Sequence, residues 1–579
     1  MAAAQRTNSA CVVKLDGQDL SAGLMEALLE VKVQENVMLP ASATVRLVAS
    51  DFADPAGAVD SSTLKIGKEL EILTGDDSGS AKSIFKGVIV SEEAEFKEDH
   101  AEVFVRAYDR AHRLNRERKN RTFQDMTVTD IVKKIAGDHG LSPKIEVSQS
   151  LQPFKHIEQS GQTDWELCWR FAQMYDLELQ ADDRKLVLRQ SDSAVGEQVT
   201  LTYTDTLLSF RPRVTGAGAV EKATVRGWDP KTKAAVVGTA TKSDAKRRGN
   251  PPAAGGNLAR DTGANGDGTL VSDLGPFDQR EAQAVAMSIV NRLGGSAVEA
   301  EGNAAGNPSL RAGTKVKIEG VGTRFSGTYR LSAVTHVYRS SGYFTQFAIS
   351  GAAARGLLDL LRPKPRRDWG NQLVIGIVTD NSADPDKLGR VKVKVPALSD
   401  SDETWWARVV TQSAGAGHGV FTLPAVNDEV ILGFENGDTR RPYVLGSLFN
   451  GREKPTDDMI KGQAAGNHGN YVANTQEKYL VSAKKEMEFK GEKPMLLEGK
   501  DTLKIHSDKA MTIEVSSGAD MTLDGGSNIK VKSGQGLNLE AGTSVTVKGS
   551  VNVNVEAGAS KVALGPSGVQ ISGSMIQLG

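Results

Sequence analysis

The chain has 579 residues, 39% hydrophobic, 5% aromatic and 25% charged, with a formal net charge of −2. That length exceeds what one hydrophobic core serves and predicts roughly three to five domains, while 60 glycines and few aromatics point to turn-rich β-structure rather than a helical enzyme. The near-neutral charge removes any electrostatic reason to expect nucleic acid or an anionic membrane, the lack of a long apolar run excludes a membrane-spanning helix, and two distant cysteines, Cys11 and Cys168, argue against a disulfide framework.

The first residues, MAAAQRTNSACVVKLDG, lack the apolar run of a signal peptide. Assembly in the cytoplasm without a cleaved leader is therefore expected. Residues 10–110 alternate apolar and polar as strands do, at Ala27–Val33, Ala43–Val48, Glu69–Leu73, Phe85–Val90 and Glu102–Arg106, and predict an antiparallel barrel or sandwich. Thr127 is a candidate N-cap with Asp130 three residues on, ahead of an apolar stripe at Ile131, Val132 and Ile135. A second helix is predicted at about 164–175, with Leu167, Phe171 and Met174 on one side, followed by strands at Leu177–Leu179 and Lys185–Leu188.

Residues 200–350 read as strand-rich again, interrupted by a long loop over 239–275, which contains Lys246, Arg247 and Arg248, and by a helix at about 279–293. The segment Arg362-Pro363-Lys364-Pro365-Arg366-Arg367 reads as a stiff basic linker. From 371 to 450, five strand signals in some eighty residues suit a small closed barrel of the OB type.

The last ninety residues carry a period of eight. Phe489, Leu497, Ile505, Ile513, Met521, Ile529, Leu537, Val545 and Val553 fall in one register. A second apolar residue follows two positions later, as in Ile529-Lys530-Val531, and Gly518, Gly526, Gly534, Gly542 and Gly558 keep the same schedule. Each unit reads as a short strand followed by a glycine turn, the mark of a β-solenoid or fibre. One octad supplies one wall of a prism, so three walls must meet. One chain coiling through three octads or three chains side by side would each serve. In the second case residues 485–560 form a needle on the order of 45 Å long at one inter-strand spacing per octad.

The 371–450 segment also carries specific text: Asp384-Pro385, Leu388-Gly389-Arg390-Val391-Lys392-Val393, Trp405-Trp406-Ala407-Arg408-Val409, Gly433-Phe434-Glu435-Asn436-Gly437-Asp438 and Arg441-Pro442-Tyr443-Val444-Leu445-Gly446-Ser447. It resembles the OB-fold of VgrG proteins and of contractile phage tail spikes. Tyr108-Asp109-Arg110, Gln159 to Trp165 and Arg226-Gly227-Trp228-Asp229-Pro230 resemble the hub of the same family. The resemblance covers the chain in order and implies a mainly β, multidomain fold. Residues 1–365 would be a hub with two β-barrel blocks and a few helices, 371–450 an OB-fold, 451–484 a collar, and 485–579 a triple-stranded β-helix needle and tip. It implies a homotrimer whose six barrels meet a hexameric inner tube, whose needle crosses a target membrane only transiently, and which meets other baseplate proteins and a PAAR-repeat tip protein. Effector cargo is a further partner. Such a spike becomes part of an injection particle, extracellular or cell-attached.

Only about thirty residues separate barrel and needle, too few for an inserted lysozyme domain, and no toxin domain is expected after the needle. These departures look more like the spike of an extracellular, phage-tail-like injection system. In the trimeric reading Ile505, Ile513, Met521, Ile529, Leu537, Val545 and Val553 face the needle axis, and Ser574, Met575, Ile576, Gln577 and Leu578 form a docking platform for the tip protein. No catalytic, cofactor or metal-binding residue is assigned. His418 and His468 read as loop histidines, Asp182-Asp183 as a turn, Cys168 as a core thiol, and Trp405-Trp406 as packing rather than a base-stacking surface. The expected function is structural; the alternatives are an envelope-degrading spike with a site in the hub or collar, or a carbohydrate-binding tail fibre.

Overall fold

The computed structural model describes residues 11–350 apart from breaks at 50–58, 61–62, 76–80, 99, 149–151, 194, 217–218, 230, 242–248, 255–257, 264–267, 272–275, 277 and 296; residues 373–456 apart from 398 and 400; parts of 479–511; and 521–577. The basic linker at 362–367, His468, Ile513, Leu578 and residues 457–478 and 484 of the expected collar lie outside the described residues. The chain divides into two compact units, residues 1–471 and 472–579.

In the first unit, strand signals from both ends of the N-terminal block converge on one sheet of eleven strands. The five strands read between residues 27 and 106 appear as Leu28–Asn36, Leu39–Ala49, Glu69–Gly75, Ala81–Phe96 and Ala101–Tyr108. Leu28–Asn36 pairs antiparallel with Ala333–Arg339, which joins the early strands to the later ones Gly342–Ile349, Val298–Ala305 and Leu207–Val214. Alternation puts Val31, Val33, Val45, Ile72 and Val105 into the core of the early strands, all buried. The join is also charged. Arg311 donates from Nε to Glu35 Oε1 at 2.6 Å, and the Ala312 N–H donates to Glu35 Oε2 at 3.2 Å.

Helices fill the space beside this sheet. Val128–Asp138 begins where Thr127 predicts: Thr127 Oγ1 accepts from the Asp130 N–H at 3.2 Å, and the Asp130 carboxylate accepts from the Thr127 N–H at 3.3 Å. Ile131, Val132 and Ile135 are buried against Phe154, Leu167, Cys168 and Phe171. Asp164–Met174 repeats the device with Thr163 and Glu166. Gln279–Gly295 packs Val285, Ala286, Ile289 and Val290 on the small sheet of Lys222–Asp229 and Ala234–Thr241. Asp183 opens the turn between Leu177–Asp182 and Lys185–Gln190, at φ 51°, while Asp182 ends the strand, paired with Lys185.

The 239–275 loop is a correction. Its described part holds the end of Ala234–Thr241, a short helix Leu258–Asp261 and a strand Thr269–Val271, which runs parallel to Lys222–Asp229. Local composition reads as loop because these elements are short and are held by a pairing partner far away in sequence.

The barrel signals give a closed five-stranded barrel of Val374–Asp380, Arg390–Lys394, Ala407–Val409, Glu429–Phe434 and Pro442–Ser447. Its inward residues Val378, Val391, Val393, Val430, Leu432 and Val444 are buried. Gly376 is needed for closure: a Cβ there would lie 2.3 Å from Val393 Cγ1.

In the second unit no strand is present among the described residues 521–552. Over these described residues the expected strand per octad is absent, because a strand needs a hydrogen-bonded neighbour and these octads supply none to each other within one chain. Val553–Ala557, Ser560–Gly565 and Gly568–Ser572 instead form an antiparallel sheet in which Val553 pairs with Leu564. The octad ends here, since the next position in register is Lys561. The last strand closes at Ser572, and no strand is present at the described residues Ser574–Gln577.

Candidate functional site

Two features outside the cores stand out: the apolar register of the repeat, and the attachment of the barrel to the N-terminal block. Met521, Ile529, Leu537 and Val545 are 52–57% exposed, and their partners Leu523, Val531, Leu539 and Val547 are 65–71% exposed. Ile505 is exposed too, whereas Val553 is half-buried within the antiparallel sheet. Fully burying one such side chain is worth about 1.5–3 kcal/mol. An apolar register this long, left in water by one chain, is an interaction surface.

The attachment is made by the turn that joins the last two barrel strands. Asn436 and Gly437 take positive φ, 53° and 77°, as a tight hairpin turn requires. Beyond them Arg440, 6% exposed, donates to Asp438 and, from Nη1, to Glu281 Oε1 at 2.8 Å on the Gln279–Gly295 helix. Its guanidinium lies 5.5 Å from the Phe154 ring centroid. Arg441 donates to the carbonyls of Trp228 at 3.0 Å and Pro276 at 2.6 Å. On the surface Lys231 reaches Asp386 at 2.7 Å. Two buried arginines thus carry barrel and N-terminal block as one body. Stripping one partner from a buried ion pair of this kind costs about 3–5 kcal/mol.

The barrel coincides with a known domain. The family model described as the type VI secretion system/phage-baseplate injector OB domain matches residues 374–449. The model described as the Alg8 N-terminal domain matches residues 5–340, more than half of the chain. The type VI secretion system spike protein VgrG2a of Pseudomonas aeruginosa is 31% identical over 97 residues, 16% of this chain and 12% of that protein. VgrG3 of Vibrio cholerae, also a type VI secretion system spike protein, is 37% identical over 68 residues, 11% of this chain and 7% of that protein. The chain belongs to the VgrG-like spike family, with an N-terminal block of the Alg8 N-terminal domain type.

The aligned stretches therefore span about a tenth of those relatives. Among solved structures, an Escherichia coli component of the type VI secretion system, described as structurally similar to the bacteriophage T4 tail proteins gp27 and gp5, superposes with a TM-score of 0.47 at 16% identity, over 75% of this chain and 99% of that one. Both curated relatives are described as spike proteins of the type VI secretion system.

The family-like text of the barrel turns out to be turn chemistry. Asp384 accepts from the N–H groups of Asp386, Leu388 and Arg390 and from the Arg390 guanidinium, at 2.6–3.2 Å. Burial alone would raise its pKa, but these donors hold it down at about 2. Trp406 is buried beneath Lys392, whose ammonium sits 5.6 Å from its ring, so packing is the observed use of that side chain. His418 is exposed in a short hairpin, and Cys168 is fully buried. Among the described residues no group of His, Cys, Asp and Glu could hold a metal ion, and no helix is long and apolar enough to cross a membrane.

Sequence reasoning quoted Asp438 and Arg441 as family text but gave them no role, and it missed Arg440 and Glu281. A pairing between residues so far apart leaves no local signal. The available hint was adjacent arginines beside a proline at the start of a strand, where exposed charge would have served no fold.

Proposed function

We propose that this chain is the central spike and hub subunit of a contractile injection machine, working as a homotrimer. The observation that carries the reading is the exposed octad register. Three copies side by side would bring Ile505, Ile513, Met521, Ile529, Leu537 and Val545 to a common axis and would give each octad the neighbouring strands that one chain lacks. Val553 stands at the point where this arrangement hands over to the antiparallel sheet.

In this reading the N-terminal block meets the hexameric inner tube, and the needle leads through a target envelope as a triple-stranded β-helix. The short connection between barrel and needle favours an extracellular, phage-tail-like system, assembled in the cytoplasm and released as part of a particle. The segment from Ser574 onward is proposed as the docking platform for a PAAR-type tip protein. Exposed Met575 and Ile576 support this.

Light scattering tests the trimer. The expected mass is three times 61.7 kDa. A clean monomer at micromolar concentration would refute it. Deleting residues 574–579 should leave the trimer intact and abolish co-purification with the tip protein; full retention would place the platform elsewhere.

A further inference from the structure

A polar stripe runs along one face of the Phe154–Thr163 strand. His156, Glu158 and Ser160 occupy alternate positions, and His156 and Glu158 are 3% and 6% exposed. Buried polar groups normally find partners. Here Glu158 Oε2 and Ser160 Oγ are out of solvent and meet no hydrogen-bonding group of the protein. The other carboxylate oxygen of Glu158 is engaged with His156 Nε2 at 3.4 Å.

The barrel presents a matching group. Thr404 is 3% exposed, and its hydroxyl also meets no partner in the protein. Its backbone is fixed, since its N–H donates to the Val393 carbonyl at 2.7 Å. Glu158, Ser160 and Thr404 line the same pocket of about 20 Å³, walled in part by Arg121, Val395 and Asp402. Two parts of the chain thus bring three residues, each with a buried oxygen that has no hydrogen-bond partner in the protein, around one small space.

The size and chemistry of that space select its occupant. A buried water needs roughly 10–15 Å³ and about three polar partners. Glu158 as a carboxylate only accepts, whereas the two hydroxyls both donate and accept. One water can donate to Glu158 Oε2 and complete its bonding with Ser160 and Thr404. A cation fits poorly: calcium takes about six to eight oxygens, and the cationic Arg121 is among the lining residues. Arg121 is itself committed, donating to Gln159 Oε1 and Asp138 at 2.8 Å and to Asp164 at 2.6 Å.

We infer that this pocket binds a single ordered water that hydrogen-bonds Glu158 and Ser160 of the N-terminal block to Thr404 of the barrel. It is a further fastening between the two, separate from the Arg440–Arg441 turn and the Lys231–Asp386 pair.

A cryo-EM map or crystal structure of the full chain, at a resolution that shows waters, tests this directly. The expected result is one peak about 2.6–3.2 Å from all three oxygens. No peak, a peak ringed by about six or more oxygens at cation distances, or direct hydrogen bonds among the three side chains would overturn it. A double-mutant cycle of Ser160→Ala and Thr404→Val, read by urea unfolding of the full chain, gives an independent test. Each single change should lower the folding equilibrium constant by about five-fold, and the double by about the same five-fold, because either one already breaks the bridge. A double loss of about twenty-five-fold would mean independent sites and would overturn the bridge.

Discussion

The closed barrel and the octad repeat draw on the same valines, isoleucines and leucines, yet one chain buries only the first set. In the barrel five strands close on themselves, so no edge is left unpaired and Val378, Val391, Val393, Val430 and Leu432 fill the interior. In the repeat, Met521, Ile529, Leu537 and Val545 remain in water. The difference lies in geometry more than composition. Eight residues per layer give one wall, and one wall encloses nothing. The barrel's stability is therefore a property of the chain, whereas in the proposed trimer that of the repeat would depend on how many chains are present.

A substitution at the axis should break the comparison most sharply. Ile529→Asp would bring three carboxylates together on the proposed axis, each costing several kcal/mol unless it is protonated. Trimer should be lost by light scattering while the barrel stays folded. Lys530→Asp, one residue away and facing water, should change stability by about 0.5 kcal/mol or less. Equal trimer yields for the two variants would show that the strand faces are assigned the wrong way round.

A change at the barrel's attachment comes next. Arg440→Ala removes the buried guanidinium that Asp438 and Glu281 share across the attachment and should cost about 3–5 kcal/mol, seen as a lower urea midpoint. Trimerisation through the repeat should survive. If the midpoint is unchanged, the turn does not hold the two parts together.

The contrast also explains what was legible in the sequence. Alternation gave the barrel strands and the early strands of the N-terminal block because their faces are set by local pattern and closed within the chain. Thr127 with Asp130 announced a helix start because a cap is a local bond. The octad announced a surface but not its pairing, since in the proposed trimer the hydrogen-bond partners lie in the other chains. The Thr269–Val271 strand and the Arg440–Glu281 pair were illegible for a related reason: each depends on a residue that only the fold brings near. Val553 was read as the last octad because its register fits, but Lys561 eight residues on already marks the end of the pattern.

The smallest effect should come from the turn that precedes the second barrel strand. Asp384 has its pKa held at about 2, against an ordinary value of 3.8, by the Arg390 guanidinium and three backbone N–H donors that outweigh its burial. A carboxylate with a depressed folded-state pKa contributes stability above its unfolded value and loses it as pH falls through the folded one. The barrel should therefore weaken between about pH 4 and pH 2, by on the order of 2 kcal/mol from this group. Asp384→Asn keeps the shape of the turn but not the charge, so it should lower stability at neutral pH and flatten the acid decline. Melting temperatures of both proteins across that range give the comparison. Other depressed carboxylates, such as Glu102 at about 2, titrate in the same window, and only the difference between wild type and variant isolates Asp384. Parallel curves would show that the turn is held by the backbone alone. The repeat should show no counterpart to this decline, because its proposed axis is built from uncharged side chains.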